Sequence, residues 1–155
     1  MNITNFYCDM DGVLVDFIKG YEKLTGIDIT GTHHNSDNFW DPINQAGYDF
    51  WNELEWERDG KTLWNYIKKH NPTILSAPSK YDNSRVAKHD WVKRELPGTE
   101  LILKYSKNKK ELATPNSLLI DDRPENINDW VEAGGIGILH TSATDTINQL
   151  KKLKL

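Results

Sequence analysis

The sequence predicts an α/β fold: a Rossmann-like core whose parallel sheet is flanked by helices, with a small helical cap inserted after the first strand. Three observations predict it. From residue 72 onward, short apolar strands alternate with helix-length segments, the pattern of parallel strands joined by helical crossovers. Before that, residues 18–70 hold helices and aromatics but no obvious strand. Finally, acidic residues follow two of the strands directly, where ligands of open α/β sheets bind. The resulting division is a core of residues 1–16 and 71–155 and a cap of residues 17–70.

The elements follow in order. Residues 2–8 carry Ile3, Thr4, Phe6 and Tyr7 and suit a buried strand. Residues 13–24 predict a helix stopped by Gly26. The polar stretch 28–38, with Gly31, His33, His34 and Asn35, predicts a loop with exposed histidines, because adjacent histidines do not converge on one ion. Residues 48–55 and 61–70 predict helices separated by Asp59-Gly60. Strand 73–76 is bracketed by Pro72 and Pro78, and helix 84–96 ends at Pro97-Gly98. A short strand spans 101–103. Asn108 with Glu111 fits a capping box that starts a short helix before Pro115. Strand 117–120, helix 125–133 with Pro124 in its first turn, strand 136–139 and helix 144–153 complete the chain.

Composition narrows the function classes. With 155 residues, 37% hydrophobic and 27% charged, the chain suits one soluble domain. No apolar run approaches the roughly 20 residues of a membrane span, and the first residues lack the pattern of a signal peptide. The single cysteine, Cys8, rules out an internal disulfide and points to a reducing, cytoplasmic compartment. A formal net charge of −4 argues against a long nucleic acid as partner. Six tryptophans are many for this length. Trp64 and Trp130, in periodic helical patterns, are expected in the core, while Trp40 and Trp51 are open to either core or ligand.

The chemistry concentrates in Cys8-Asp9-Met10-Asp11-Gly12. Two carboxylates two residues apart at a strand end point the same way. Gly12 lets the chain turn and approach a ligand closely. Asp121-Asp122 follows another strand, Ser76 ends a third, and the lysines around 107–110 follow a fourth. Carboxylates with a backbone carbonyl and waters make an oxygen site suited to Mg²⁺, which offsets repulsion between a phosphate and the acidic cluster. The sequence argues against an EF-hand calcium loop: counting from Asp9, the twelfth position, where a Glu is needed, is Gly20.

In order, Asp9-Met10-Asp11-Gly12-Val13-Leu14, Ser76 after Thr73-Ile74-Leu75, a downstream lysine, and Leu119-Ile120-Asp121-Asp122-Arg123 resemble the four motifs of haloacid dehalogenase (HAD) superfamily phosphohydrolases. Three stretches, 9–17, 76–80 with Trp91-Val92, and 118–124, resemble the 5'(3')-deoxyribonucleotidase branch. The resemblance implies Asp9 as nucleophile and Asp11 as general acid and base, with a pKa raised by burial beside other carboxylates. It implies Mg²⁺ held by Asp9, the Asp11 carbonyl and Asp122, with Asp121 orienting the lysine or a metal-bound water. Ser76 would bind a phosphate oxygen. Lys109 and Lys110 both fit the lysine position, with Lys110 slightly favoured. Lys80 and Arg123 are further candidates to hold substrate or neighbouring carboxylates. Phe17 occupies the branch's base-stacking position, and Phe39, Trp40 and Trp51 could complete an aromatic slot. The sequence departs from the branch at Ala77, where a second hydroxyl is common.

The implied activity is Mg²⁺-dependent hydrolysis of a small phosphomonoester, a nucleoside monophosphate and preferably a deoxyribonucleotide. Two alternatives stay open: the same chemistry on a sugar phosphate or a nucleic-acid 3'-phosphate, and a non-hydrolytic metal- and phosphate-binding module. Cap aromatics could equally serve a homodimer interface.

Overall fold

The computed structural model describes residues 2–32 and 36–155; the expected exposed pair His33 and His34 lies outside the described residues. Five strands, β1 (Asn5–Cys8), β2 (Thr73–Ser76), β3 (Leu101–Leu103), β4 (Ser117–Asp121) and β5 (Ile136–Leu139), form one parallel sheet in the order β3-β2-β1-β4-β5. Helices α1 (Phe17–Thr25), α2 (Asp37–Ala46), α3 (Tyr48–Asn52) and α4 (Gly60–Ile67) all lie between β1 and β2. Helices α5 (Asp82–Glu95), α6 (Pro124–Glu132) and α7 (Ala143–Lys152) follow β2, β4 and β5.

The central strand is β1, with Cys8 opposite Ile74 of β2 on one side and Ile120 of β4 on the other. The chain builds outward from β1 to β2 and β3, then returns to build β4 and β5 on the opposite flank. That reversal leaves a crevice beyond the carboxyl ends of β1 and β4, the usual ligand position in such sheets.

Side chains alternate along each strand, and the two faces bury different partners. Phe6, Cys8, Ile74, Leu118, Ile120 and Ile138 join the larger core with Leu63 and Ile67 of α4, Trp91 of α5 and Leu150 of α7. Tyr7, Leu75 and Leu119 face the other way, onto Ile127 and Trp130 of α6. With both faces covered, the strands are apolar throughout rather than alternating with polar residues. Cys8 is fully buried, and burial, then the charges of Asp9 and Asp121, push its thiol well up. The helical segment after β1 has no separate core: Tyr21, Phe39, Ile43, Phe50 and Trp51 belong to the same cluster as the sheet.

Several boundaries differ from the sequence expectation. Helix α1 starts at Phe17 rather than 13, because the Met10 carbonyl accepts from the N–H groups of Val13, Leu14 and Val15 and coils those residues into a turn. Asp16 then caps α1, its Oδ1 accepting from Lys19 N at 2.9 Å. Helix α2 was not expected; Ser36 caps it through its side chain, and Pro42 inside it hides it from a pattern search. Residues 106–112 form a 3₁₀ helix, Ser106–Leu112, rather than an α-helix begun at Asn108. Of the expected core tryptophans, Trp130 is fully buried and Trp64 is half-buried against the larger core. No helix among the described residues is long and apolar enough to cross a membrane.

Candidate active site

The site is assembled from the ends of neighbouring strands. Asp9 extends the β1 ladder by one residue, its N–H donating to Ile120 O at 2.9 Å. The chain then turns at Gly12, whose φ of +80° suits glycine. A Cβ there would also collide with the Asp122 carboxylate, so the turn needs glycine for space as well as for conformation.

Asp121 ends β4 and is fully buried. Its Oδ2 accepts from Lys109 Nζ at 2.9 Å and Asn126 Nδ2 at 3.1 Å, and its Oδ1 from Arg123 N at 2.9 Å. Lys109 also donates to Asp9 Oδ1 at 3.1 Å. A 3₁₀ helix has three residues per turn, so Ser106, Lys109 and Leu112 share one face. Ser106 lines the crevice, Lys109 enters the site and Leu112 packs on the smaller core. Lys110, the slightly favoured candidate, lies on the exposed side instead.

The electrostatics follow from burial. Asp9 is pushed well above an ordinary aspartate by burial and then by Asp121, with Lys109 opposing. Burial works against the charge of Lys109, yet Asp9 and Asp121 together hold it above an ordinary lysine. Burial and the Asp121 charge raise Asp122 to about 6. Its Oδ1 is buried without a partner among the described residues. Asp9, Asp121 and Asp122 each offer an oxygen, all within 4.8 Å of one another. Three crowded carboxylates, one with an orphaned oxygen, fit a hard divalent cation with oxygen ligands.

Asp11 has a partner that the sequence did not suggest. Asp9 and Asp122 are close enough to feel its charge, and the ammonium of Lys88 meets it as well, Nζ donating to Oδ2 at 2.8 Å. Lys88 and Asn126 were missed by sequence reasoning. The signal for Lys88 was present: Ser84, Ala87, Lys88, Trp91 and Val92 form the buried stripe of α5, so a lysine occupies an inward helical position. Ser76 is fully buried, and its Oγ accepts from the same Lys88 at 2.8 Å. The crevice wall begins one residue later, at Ala77.

The crevice has a volume of about 1040 Å³ and is lined by Asp9, Asp11, Lys109 and Asp122 at its base. Phe17, Trp40 and Trp51 form an aromatic side, with Phe17 ring-centred 6.2 Å from Trp40 and 5.7 Å from Trp51. Phe39 is not part of this wall; it is buried and stacked on Tyr21 at 4.5 Å. Lys80 and Arg123 sit at the exposed rim. Lys80 lies over the Tyr81 ring at 5.3 Å and Arg123 pairs with Glu125 at 2.9 Å. Neither side chain is paired with the carboxylate cluster, where Lys109 meets Asp9 and Asp121 and Lys88 meets Asp11.

No protein-family model and no curated protein sequence matches the chain. Solved structures do. A HAD-superfamily hydrolase from Ehrlichia chaffeensis aligns over 100% of both chains with a TM-score of 0.56 at 13% identity. A hydrolase from Streptococcus pneumoniae aligns over 100% of both with 0.52 at 16%. The chain has the fold of HAD-superfamily hydrolases. A further HAD enzyme of this fold, from Bacteroides thetaiotaomicron, was crystallised with magnesium and inorganic phosphate; it aligns over 91% of this chain and 96% of that one, with 0.52 at 14%.

Proposed function

We propose that the protein is a Mg²⁺-dependent phosphomonoesterase acting on nucleoside monophosphates, 5'(3')-deoxyribonucleotides in particular, with residues 17–70 as its cap. The observation that carries the reading is the convergence of Asp9, Asp11, Lys109, Asp121 and Asp122 at the base of one crevice. The magnesium and phosphate in a structure of the same fold support the chemistry. The aromatic side of the crevice supports the nucleotide.

Asp9, the Asp11 carbonyl and Asp122 would hold Mg²⁺, with Asp121 orienting Lys109. The cation supplies charge neutralisation, letting an anionic phosphate approach a carboxylate nucleophile. A carboxylate oxygen of Asp9 attacks phosphorus as the bond to the leaving oxygen breaks. Asp11 gives that oxygen a proton, so the products are a free alcohol and an aspartyl-phosphate. Asp11, now a carboxylate, takes a proton from water as the water oxygen attacks phosphorus. Inorganic phosphate leaves and both aspartates return to their first state. Lys109 balances the charge that builds on the phosphoryl oxygens. Phe17, Trp40 and Trp51 would stack on the base, and a closing cap would expel water.

The test is phosphate release with Mg²⁺ from nucleoside monophosphates, sugar phosphates and a 3'-phosphorylated oligonucleotide. Preference for deoxyribonucleoside monophosphates, abolished by Asp9→Asn, is the expected result. Preference for another class would remove the nucleotide assignment and keep the Asp9 chemistry. Full activity of Asp9→Asn would overturn the covalent mechanism, and release from no substrate would favour a binding module.

A further inference from the structure

Lys88 is a fully buried cation to which the reading above gives no task. An ammonium has three N–H donors and no lone pair. All three of its donors are occupied: Asp11 Oδ2 at 2.8 Å, Ser76 Oγ at 2.8 Å and the Ala77 carbonyl at 2.9 Å. Its remaining side is covered by the face of Trp51, 5.0 Å from Nζ to the ring centre. Lys88 therefore has no donor left for a phosphate, and whatever it does in the reaction passes through the groups it holds.

Of those groups, Asp11 alone lines the crevice with a side chain that can exchange protons. A carboxyl on a free rotor spends little time aimed at a leaving oxygen. One whose Oδ2 is fixed by a charged hydrogen bond is confined to one plane and one direction. Ser76 and the Ala77 carbonyl fix the ammonium in turn, tying Asp11 to the end of β2. Trp51 belongs to α3, on the aromatic side of the crevice. It excludes water from Lys88, and a desolvated charge pair is stronger than a hydrated one.

We propose that Lys88 is the positioning residue for proton transfer, holding Asp11 aimed at the leaving oxygen, and that Trp51 makes this hold depend on the aromatic wall. The proposal rests on the phosphomonoesterase reading. It differs from a merely structural role in one respect. A misaimed acid harms substrates whose leaving group needs a proton and spares those whose leaving group departs as a stable anion.

The experiment compares kcat/KM for phenyl phosphate and 4-nitrophenyl phosphate, of nearly equal size, in the wild type, Lys88→Met and Trp51→Leu, each checked for folding by circular dichroism. Lys88→Met is expected to lose about 100-fold on phenyl phosphate, the low end of general-acid contributions, and less than about tenfold on 4-nitrophenyl phosphate. Trp51→Leu, which leaves both charges in place, is expected to shift the ratio the same way by a smaller factor. Equal losses on both substrates, or no loss, would overturn the proposal. Should Lys88→Met not fold, an unchanged ratio in Trp51→Leu overturns it and a shifted one supports it. A wild type inactive on both substrates would instead overturn the phosphomonoesterase reading itself.

Discussion

Lys109 and Lys110 are adjacent and chemically identical, yet one is 2% exposed between two aspartates and the other faces solvent. Spacing along the sequence could not separate them, because the choice is made by helix type. The i to i+3 bonds that close on Tyr105 and Lys110 set a period of three and turn Lys109 inward. Substituting Lys109 by Met leaves Asp9 and Asp121 buried without their cation, a loss of about 3–5 kcal/mol in buried pairs of this kind. We expect a lower melting temperature and a fall in kcat of at least about 100-fold for Lys109→Met. Lys110→Met should stay near wild type in both measurements. The carboxylates themselves were legible, since Asp9 and Asp121 come directly after apolar strand residues and Asp11 and Asp122 follow within two positions. Lys88 was passed over, although its place on the inward stripe of α5 marked it, because a lysine on a helix reads first as a solvated one.

At the scale of elements, strands read more clearly than helix starts. Strands β2, β3 and β5 match the expected 73–76, 101–103 and 136–139, being short apolar runs between proline, glycine and polar residues. The turn at residues 10–15 did not read as one, because Val13, Leu14 and Val15 look like the start of a helix. The local bonds to the Met10 carbonyl are joined by a non-local contact that the sequence does not show: Val15 bridges to Trp56, far along the chain. Helix α2 was hidden for the opposite reason, as only Phe39 and Ile43 of its ten residues are buried. This helix brings Trp40 to the crevice opposite Phe17 of α1. If these rings stack on a base, Phe17→Ala and Trp40→Ala should each raise KM for a nucleoside monophosphate by about 5- to 100-fold, from a stacking contribution of about 1–3 kcal/mol. Turnover of a small non-aromatic phosphate should change far less. Equal changes for both substrates would remove the base slot.

For the whole molecule, the acidic cluster links metal, pH and stability. Asp122 is raised from 3.8 to about 6, and Asp9 moves in the same direction. These two carboxylates therefore hold more protons in the metal-free fold than in the unfolded chain across that window. Their contribution to stability declines as pH rises through the window from 3.8 to about 6. Mg²⁺ held by the ionised carboxylates of the folded chain would make a contribution of the opposite sign. At 100 times its Kd it adds about 2.7 kcal/mol. Thermal melts with and without Mg²⁺ should show a large rise in Tm near pH 7.5 and a much smaller one near pH 5. EDTA should remove the rise. A Mg²⁺ effect independent of pH would mean that the ion binds elsewhere.

Cys8 sits at the end of the central strand, one residue before the proposed nucleophile, sealed from water on both faces of the sheet. Its thiol is held protonated by burial and by the neighbouring carboxylates, and a protonated thiol does not attack disulfide reagents. The chain thus carries a built-in reporter of opening, placed where the strand ladder meets the chemistry. Under native conditions, labelling of this one sulfur measures how often β1 parts from β2 or β4, without any added probe. A cation clamped between Asp9 at the end of β1 and Asp122 just past β4 should slow that labelling, turning metal occupancy into a rate read at a single atom.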